Sequence, residues 1–349
     1  MHIKLWLAAW LMVWPQVVMY AATLPASRSA EADPTEAANV EPAQPSSADA
    51  PPAIVELPQF ATYDMSRLSW LPPSLRSKGY ETIPVFFMCH MWNGRVGEVP
   101  TNCNKVNFSS INHEVVRQRA KEALGLPLVV IDIEQTSNPT THVWHMVSED
   151  PQQVMTAVAM WQELIATWRE VNQDTRIMIY KPIPRIWWPM QKNRRWPMIA
   201  RGQKSIDART ATTRLIAPLF EDESLMAWPS AYLNIDAPEL LREERQWQIQ
   251  ICKEVYKTRC VFALTPFYTK LKTPEGEPRP IHPDMLLQVM HELEEDGADG
   301  FGIWMPRSYN NKKYLALVRA WAETGGRAAD AHDPGVLWLN AVDQFLSDQ

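Results

Sequence analysis

Glycine is scarce in this 349-residue chain, 12 residues against 29 prolines. The glycines never gather into the G-x-G-x-x-G or G-x-x-x-x-G-K-[ST] spacing that wraps backbone N–H groups around phosphate, so no nucleotide site is indicated. Cysteine is scarcer still. Cys89, Cys103, Cys252 and Cys260 include no CxxC pair, the spacing that a structural zinc site requires. A basic excess is also missing: the formal net charge is -6, against what a nucleic-acid partner calls for. The histidines His90, His113, His142, His145 and His291 are scattered, and only His142 and His145 lie close together, in a stretch that reads as loop. No metal and no cofactor are expected. Nor does any Ser, His and Asp set or nucleophilic cysteine context stand out.

What the chain has in quantity is tryptophan, 16 residues, alongside its prolines. Together they indicate stiff, aromatic-rich loops of the kind on which sugar rings stack. After Lys4 comes the apolar run "LWLAAWLMVWPQVVMYAA", followed by small residues around Ala21 to Ala26, which reads as an export signal over residues 1–22. An uncleaved anchor helix is the alternative, but Pro15 and Gln16 interrupt the run. Residues 23–57 are Ala, Pro, Ser and Glu with almost no large apolar side chain. They bury too little surface to offset chain entropy and read as a disordered linker. One domain then fills residues 58–349, with 46% hydrophobic content over the whole chain for its core. The protein is expected to be secreted or periplasmic, with no stable membrane span after cleavage. In an oxidising compartment four cysteines allow two disulfides in three pairings, of which the local one, Cys89 with Cys103 and Cys252 with Cys260, is preferred.

Within the domain, "IPVFFMCHMW", "PLVVIDI", "RIMIYKPI", "AWPSAYLNI", "RCVFALTPFY" and "GFGIWM" read as strands. Between them lie amphipathic stretches at 111–124, 149–175, 237–257 and 284–296. The second has Pro151 suited to a first helical turn and Val154, Val158, Trp161, Leu164, Ile165 and Trp168 at three- and four-residue spacing. Continuous apolar strands separated by helices predict a parallel sheet covered on its outer face. Six or more such units favour a TIM-like β/α barrel of seven or eight strands over a doubly wound sheet.

"PLVVIDIEQT", residues 127–136, places Asp132 and Glu134 at the end of an apolar run. Two residues apart on a strand they share a face, and at the carboxyl end of a barrel strand that face opens on the cleft. Neighbouring carboxylates hold one of the pair protonated and the other charged, which is what glycoside hydrolysis uses. The alternative is that D-x-E merely ends a strand and caps the following loop. A second cluster, "RIWWPMQKNRRWPMIARGQK", sets Arg185, Trp187 and Trp188 among further cations, a platform for an anionic glycan or a loop packing its indoles on the barrel exterior.

These segments resemble a known family in order along the chain. "VVIDIE" resembles the VIDWE strand of the hyaluronidases, "WPSAYL" is similar to their PSxYL strand, and "GADGFGIWM" looks like their GAxGxxIWG. "VFALTPFY" sits where the family has its next strand, and "IMIYKPIP" resembles more loosely its Tyr-bearing strand. The match spans roughly residues 83–310. It implies that Glu134 is the acid/base, that Asp132 orients the substrate's acetamido group, that Tyr180 and Tyr232 hydrogen-bond around the reacting sugar and that Trp304 lines the subsite. It also implies a secreted endo-acting glycosidase in which the sugar's own N-acetyl oxygen attacks, so that the protein supplies no nucleophile. The chain departs from the family where "QTSNPT" replaces an acidic or aromatic residue and then W-R-P, and where Met305 stands in place of Gly. The partner expected is a polysaccharide containing N-acetylhexosamine. The alternatives are a non-catalytic glycan-binding barrel and a glycosidase acting on a cell-wall or neutral glucan.

Overall fold

The computed structural model describes residues 56–66, 71–87, 91, 109–133, 144, 146–185, 187–189, 198–200, 202–233, 238–274, 278–305, 312–324 and 336–349. In chain order the elements are β1 (Ala61–Met65), α1 (Pro73–Arg76), β2 (Glu81–Thr82), β3 (Val85–Phe87), α2 (His113–Glu122), β4 (Leu128–Asp132), α3 (Pro151–Arg169) and β5 (Arg176–Tyr180). There follow β6 (Trp187–Pro189), β7 (Met198–Ala200), α4 (Gln203–Ile216), β8 (Leu225–Trp228), α5 (Pro238–Gln250) and a π-helical turn (Ile251–Tyr256). The chain continues through β9 (Val261–Leu264), β10 (Phe267–Lys272), β11 (Pro278–Pro280), α6 (Pro283–Glu295), β12 (Gly300–Trp304), α7 (Lys312–Thr324) and α8 (Trp338–Asp348).

Two parallel sheets, ordered β2-β1-β12-β9 and β3-β4-β5-β8, close on each other. One seam is a single stave that changes partner halfway. Ile83 donates its N–H to the Asp64 carbonyl of the first sheet at 3.1 Å, and the Pro84 carbonyl accepts from Val130 N of the second at 2.9 Å. Proline has no N–H to give, so the switch falls where the ladder loses a donor. At the other seam Ala227 N donates to Arg259 O, Ala263 N to Pro229 O and Ala231 N to Ala263 O. The result is a TIM-like β/α barrel with seven staves among the described residues, β2 and β3 being two halves of one.

The sequence-predicted strands each contribute a stave, and β1 is one that the apolar-run reading does not identify. Its "ATYDM" alternates: Ala61, Tyr63 and Met65 enter the barrel interior with Val130, Met178, Met226 and Ala263. Thr62 and Asp64 face outward and are also buried. The larger core lies between strands and helices, joining Val129, Ile131, Ile177 and Ile179 to Val154, Val158, Trp161, Leu164 and Trp168 of α3. Asp150 caps α3, its side chain accepting from Gln152 N, with Pro151 at the first helical position as the sequence predicts. Gly300 has φ +147, and a Cβ there would lie 2.0 Å from Ala61 O, so β12 can lie against β1 only with glycine at this position.

Two antiparallel hairpins, β6–β7 and β10–β11, follow β5 and β9 and therefore stand at the carboxyl rim. Sequence reading takes "TPFY" as the end of a strand, whereas Phe267 begins the second hairpin. The local disulfide expected at Cys252 and Cys260 is not made: both are buried free thiols. Enclosure and a hydrogen bond that the Cys260 thiol donates to Cys252 push the Cys260 pKa well above its usual value, so it stays a thiol, the form that does not attack a disulfide. Cys89 and Cys103 lie outside the described residues. No described helix is long and apolar enough to cross a membrane, and the expected export signal lies outside them too.

Asp64 is fully buried, accepting from Ser66 N at 3.0 Å and from Thr82 Oγ1 at 3.4 Å. Burial raises its pKa from 3.8 to about 6, offset in part by those hydrogen bonds and by Arg76. The folded protein thus holds this proton more tightly than the unfolded chain. The stability it contributes is complete below pH 3.8 and is lost as pH rises through about 6. Asp64→Asn, which cannot ionise, is expected to gain on the wild type by about 2 kcal/mol between pH 4 and pH 7.5. Urea unfolding at the two pH values checks this. A wild-type-to-variant gap that does not change with pH contradicts it.

Candidate functional site

The carboxyl end of the barrel gathers the chemistry-bearing side chains because strand register puts them level. Ile131 pairs with Ile179 on β4 and β5, and Tyr180 pairs with Trp228 on β5 and β8. Asp132, the next residue on β4, therefore joins Tyr180 and Trp228 in one row across three neighbouring staves. Leu128 and Val130 point inward and Asp132 continues that alternation, so its carboxylate enters the barrel mouth, where it is 6% exposed. A carboxylate in such a place gives up much of its hydration, a cost that structural acids at strand ends in water do not meet.

From Trp228 the aromatic groups continue upward around the mouth. The Tyr180 ring centroid lies 4.8 Å from that of Trp228 and 6.5 Å from that of Tyr232. Tyr232 in turn stacks on Trp304 at 6.0 Å with an interplanar angle of 25°. Tyr180 is buried, and Tyr232 and Trp304 are half-exposed. Four sequence-separated segments thus meet: Asp132, Tyr180, Tyr232 and Trp304 share one wall. Among the described residues, the Trp228 Nε1, Ser230 Oγ and Trp304 Nε1 atoms are buried without a hydrogen-bond partner. Trp228 and Ser230 stand in the quoted "WPSAYL" and were not singled out from sequence; their inward direction, which comes from the β8–β9 seam at Ser230 and Ala263, is the missing signal.

Glu134 lies outside the described residues, as do His142 and His145. Trp187 and Trp188 stand on β6, opposite Ala200 and Ile199 of β7, and their side chains are likewise outside the described part. Arg185 is at the foot of that hairpin and is engaged elsewhere. Its Nε and Nη2 donate to Glu244 Oε2 of α5 at 2.9 and 2.5 Å, with the two side chains 15% and 2% exposed. A guanidinium clamped by a buried carboxylate anchors the hairpin. Among the described residues no group of three or more His, Cys, Asp or Glu side chains is placed to hold a metal ion. His113 contacts Thr167 and Glu163, and His291 contacts Asp348, all on helices.

No protein-family model matches the chain, and no curated protein does. Solved structures do. Bee venom hyaluronidase in complex with a hyaluronic acid tetramer is similar over 76% of this chain and 96% of its own, at 12% identity and a TM-score of 0.49. A family 5 xyloglucanase from Paenibacillus pabuli is similar over 82% and 98%, at 8% identity and a TM-score of 0.39. A putative sugar phosphate isomerase/epimerase from Anabaena variabilis is similar over 83% and 99%, at 11% identity and a TM-score of 0.37. At these identities the likeness concerns fold alone, and it includes glycoside hydrolases.

Arg185→Ala leaves Glu244 in its buried place without this partner, and breaking a buried pair costs about 3 kcal/mol. The variant is expected to unfold at correspondingly lower denaturant while Glu244→Gln/Arg185→Met, which removes both charges, recovers much of the loss. If Arg185→Ala is as stable as the wild type and merely binds glycans less well, the anchoring role is wrong.

Proposed function

We propose that this chain is an exported glycoside hydrolase that cleaves within an N-acetylhexosamine-containing, hyaluronan-like polysaccharide by an acid/base, substrate-assisted, retaining mechanism. The observation that supports it is the convergence of Asp132, Tyr180, Tyr232 and Trp304 at one barrel mouth from segments far apart in sequence. Stacked aromatic faces suit pyranose rings.

In this reading Asp132 holds the acetamido group of the bound sugar and balances the positive charge that develops on its nitrogen as its oxygen attacks the anomeric carbon. Enclosure makes that electrostatic help larger than it would be in water. Glu134, two residues on, gives its proton to the leaving oxygen and then takes one from the water that opens the cyclised intermediate. Tyr180 and Tyr232 hydrogen-bond around the reacting sugar, fixing it for in-line attack. Trp304 supplies the face behind it.

Glu134→Gln removes a proton donor without changing shape and is expected to slow turnover by about 10²- to 10⁴-fold with glycan affinity preserved. Asp132→Asn is expected to lose most of the rate with Glu134 untouched, and a de-N-acetylated polymer to be inert to the wild type. Reducing-sugar assays on acetylated and de-N-acetylated polymer decide the matter. Comparable rates on the two polymers remove the N-acetyl group from the mechanism and with it the role given to Asp132.

A further inference from the structure

Trp304 stands on a strand that gives its ring little support. The residues of β12 that share its inward face are Gly300 and Gly302, so no side chain of its own strand lies beneath it. Met65 of β1, opposite Trp304 in the parallel register, takes that space, and a Cβ at Gly302 would strike its thioether. On the mouth side the Trp304 ring meets only another half-exposed ring, that of Tyr232, among its described aromatic neighbours. Two half-exposed rings in contact do not by themselves fix a platform.

The next residue supplies the missing anchor. Met305 points the other way, with Phe301 and Ile303, into the core beneath the helices, where it is 1% exposed. The Tyr314 hydroxyl of α7 donates to Met305 Sδ at 3.7 Å and accepts from Trp338 Nε1, at the start of α8, at 2.7 Å. All three side chains are buried, so the hydroxyl has one orientation that satisfies both neighbours. A second bond, from Trp321 Nε1 to Asn340 Oδ1 at 2.6 Å, joins α7 to α8, and Lys78, just past α1, pairs with Asp343 of α8 at 2.5 Å. Neighbouring residues on a strand face opposite sides, so holding Met305 outward holds Trp304 inward.

Resting on the glycosidase reading above, in which Trp304 lines the sugar subsite, we propose that Tyr314 is a positioning residue. Through Met305 it holds the Trp304 ring nearly parallel to Tyr232 as a fixed platform, which makes the C-terminal helices α7 and α8 part of the glycan site. A platform already ordered loses little freedom when a sugar arrives. A loosened one weakens the bound sugar and the transition state alike, which raises KM and spares kcat.

Full-length protein carrying 5-fluorotryptophan, observed by fluorine NMR, tests this. The Trp304 resonance is assigned among the 16 indoles by its loss in Trp304→Phe. Tyr314→Phe removes both bonds of the hydroxyl, whereas Met305→Leu keeps the volume, removes only the sulfur acceptor and is expected to unfold at the wild-type midpoint. In both variants the Trp304 resonance of the free protein is expected to shift or split. On whichever of hyaluronan, chondroitin and chitin is cleaved, KM is expected to rise about five-fold with kcat held, roughly the worth of one hydrogen bond. The double variant is expected to lose no more than Tyr314→Phe alone, because both substitutions break one connection. A Trp304 resonance indifferent to both substitutions, losses that add in the double variant, or a fall in kcat with KM unchanged would each overturn the positioning role. A resonance that moves as expected in a protein that cleaves none of the three polymers upholds the anchoring of Trp304 and overturns the glycosidase reading instead.

Discussion

Barrel closure is the constraint from which the site descends. Two sheets of short staves must meet along two seams, and one of these lies at Ile83 and Pro84, where one strand hands its hydrogen bonds from Asp64 on β1 to Val130 on β4. That handover fixes the height of β4 relative to β1, and the paired registers that follow carry the same height to β5 and β8. The row of Asp132, Tyr180 and Trp228 is a result of this register. A slip of one residue would turn all three to face the helices.

Closure also explains where the fold accepts unfavourable groups. Asp64 accepts backbone and hydroxyl donors while fully buried, and its pKa rises because burial outweighs them. On the helical layer Arg245 of α5 is paired with Glu292 of α6, and Arg242 of α5 with Asp296 at 2.9 Å. Burial lowers the Arg245 pKa against the pull of those carboxylates. Together with the pair of Arg185 and Glu244, these place α5 between the rim hairpin and α6. The aromatic wall of the mouth is thus supported from outside by charge pairs and from inside by packed apolar side chains.

Much of this was legible in the sequence, for physical reasons. β4, β5 and β9 are continuous apolar runs because both their faces are buried, and α3 announces itself through its spacing and Pro151. β1 is not legible: Thr62 and Asp64 occupy its outward face and break the run, and only the folded neighbours make a buried aspartate tolerable there. Of the candidate site, Asp132, Tyr180, Tyr232 and Trp304 were visible through ordered motifs. Arg185 was visible as a cation beside tryptophans, but its partner Glu244 is 59 residues away along the chain and no local pattern shows the pairing.

The central claim is that this mouth cleaves a glycan at N-acetylhexosamine units with the substrate's own acetamido group as nucleophile. Proton NMR of the first products released by purified protein from hyaluronan, chondroitin, chitin and peptidoglycan tests it most directly. The account predicts oligosaccharides with a new N-acetylhexosamine reducing end, formed first with the anomeric configuration of the bond that was cut. Inverted first products, or cleavage confined to a neutral glucan, would contradict it.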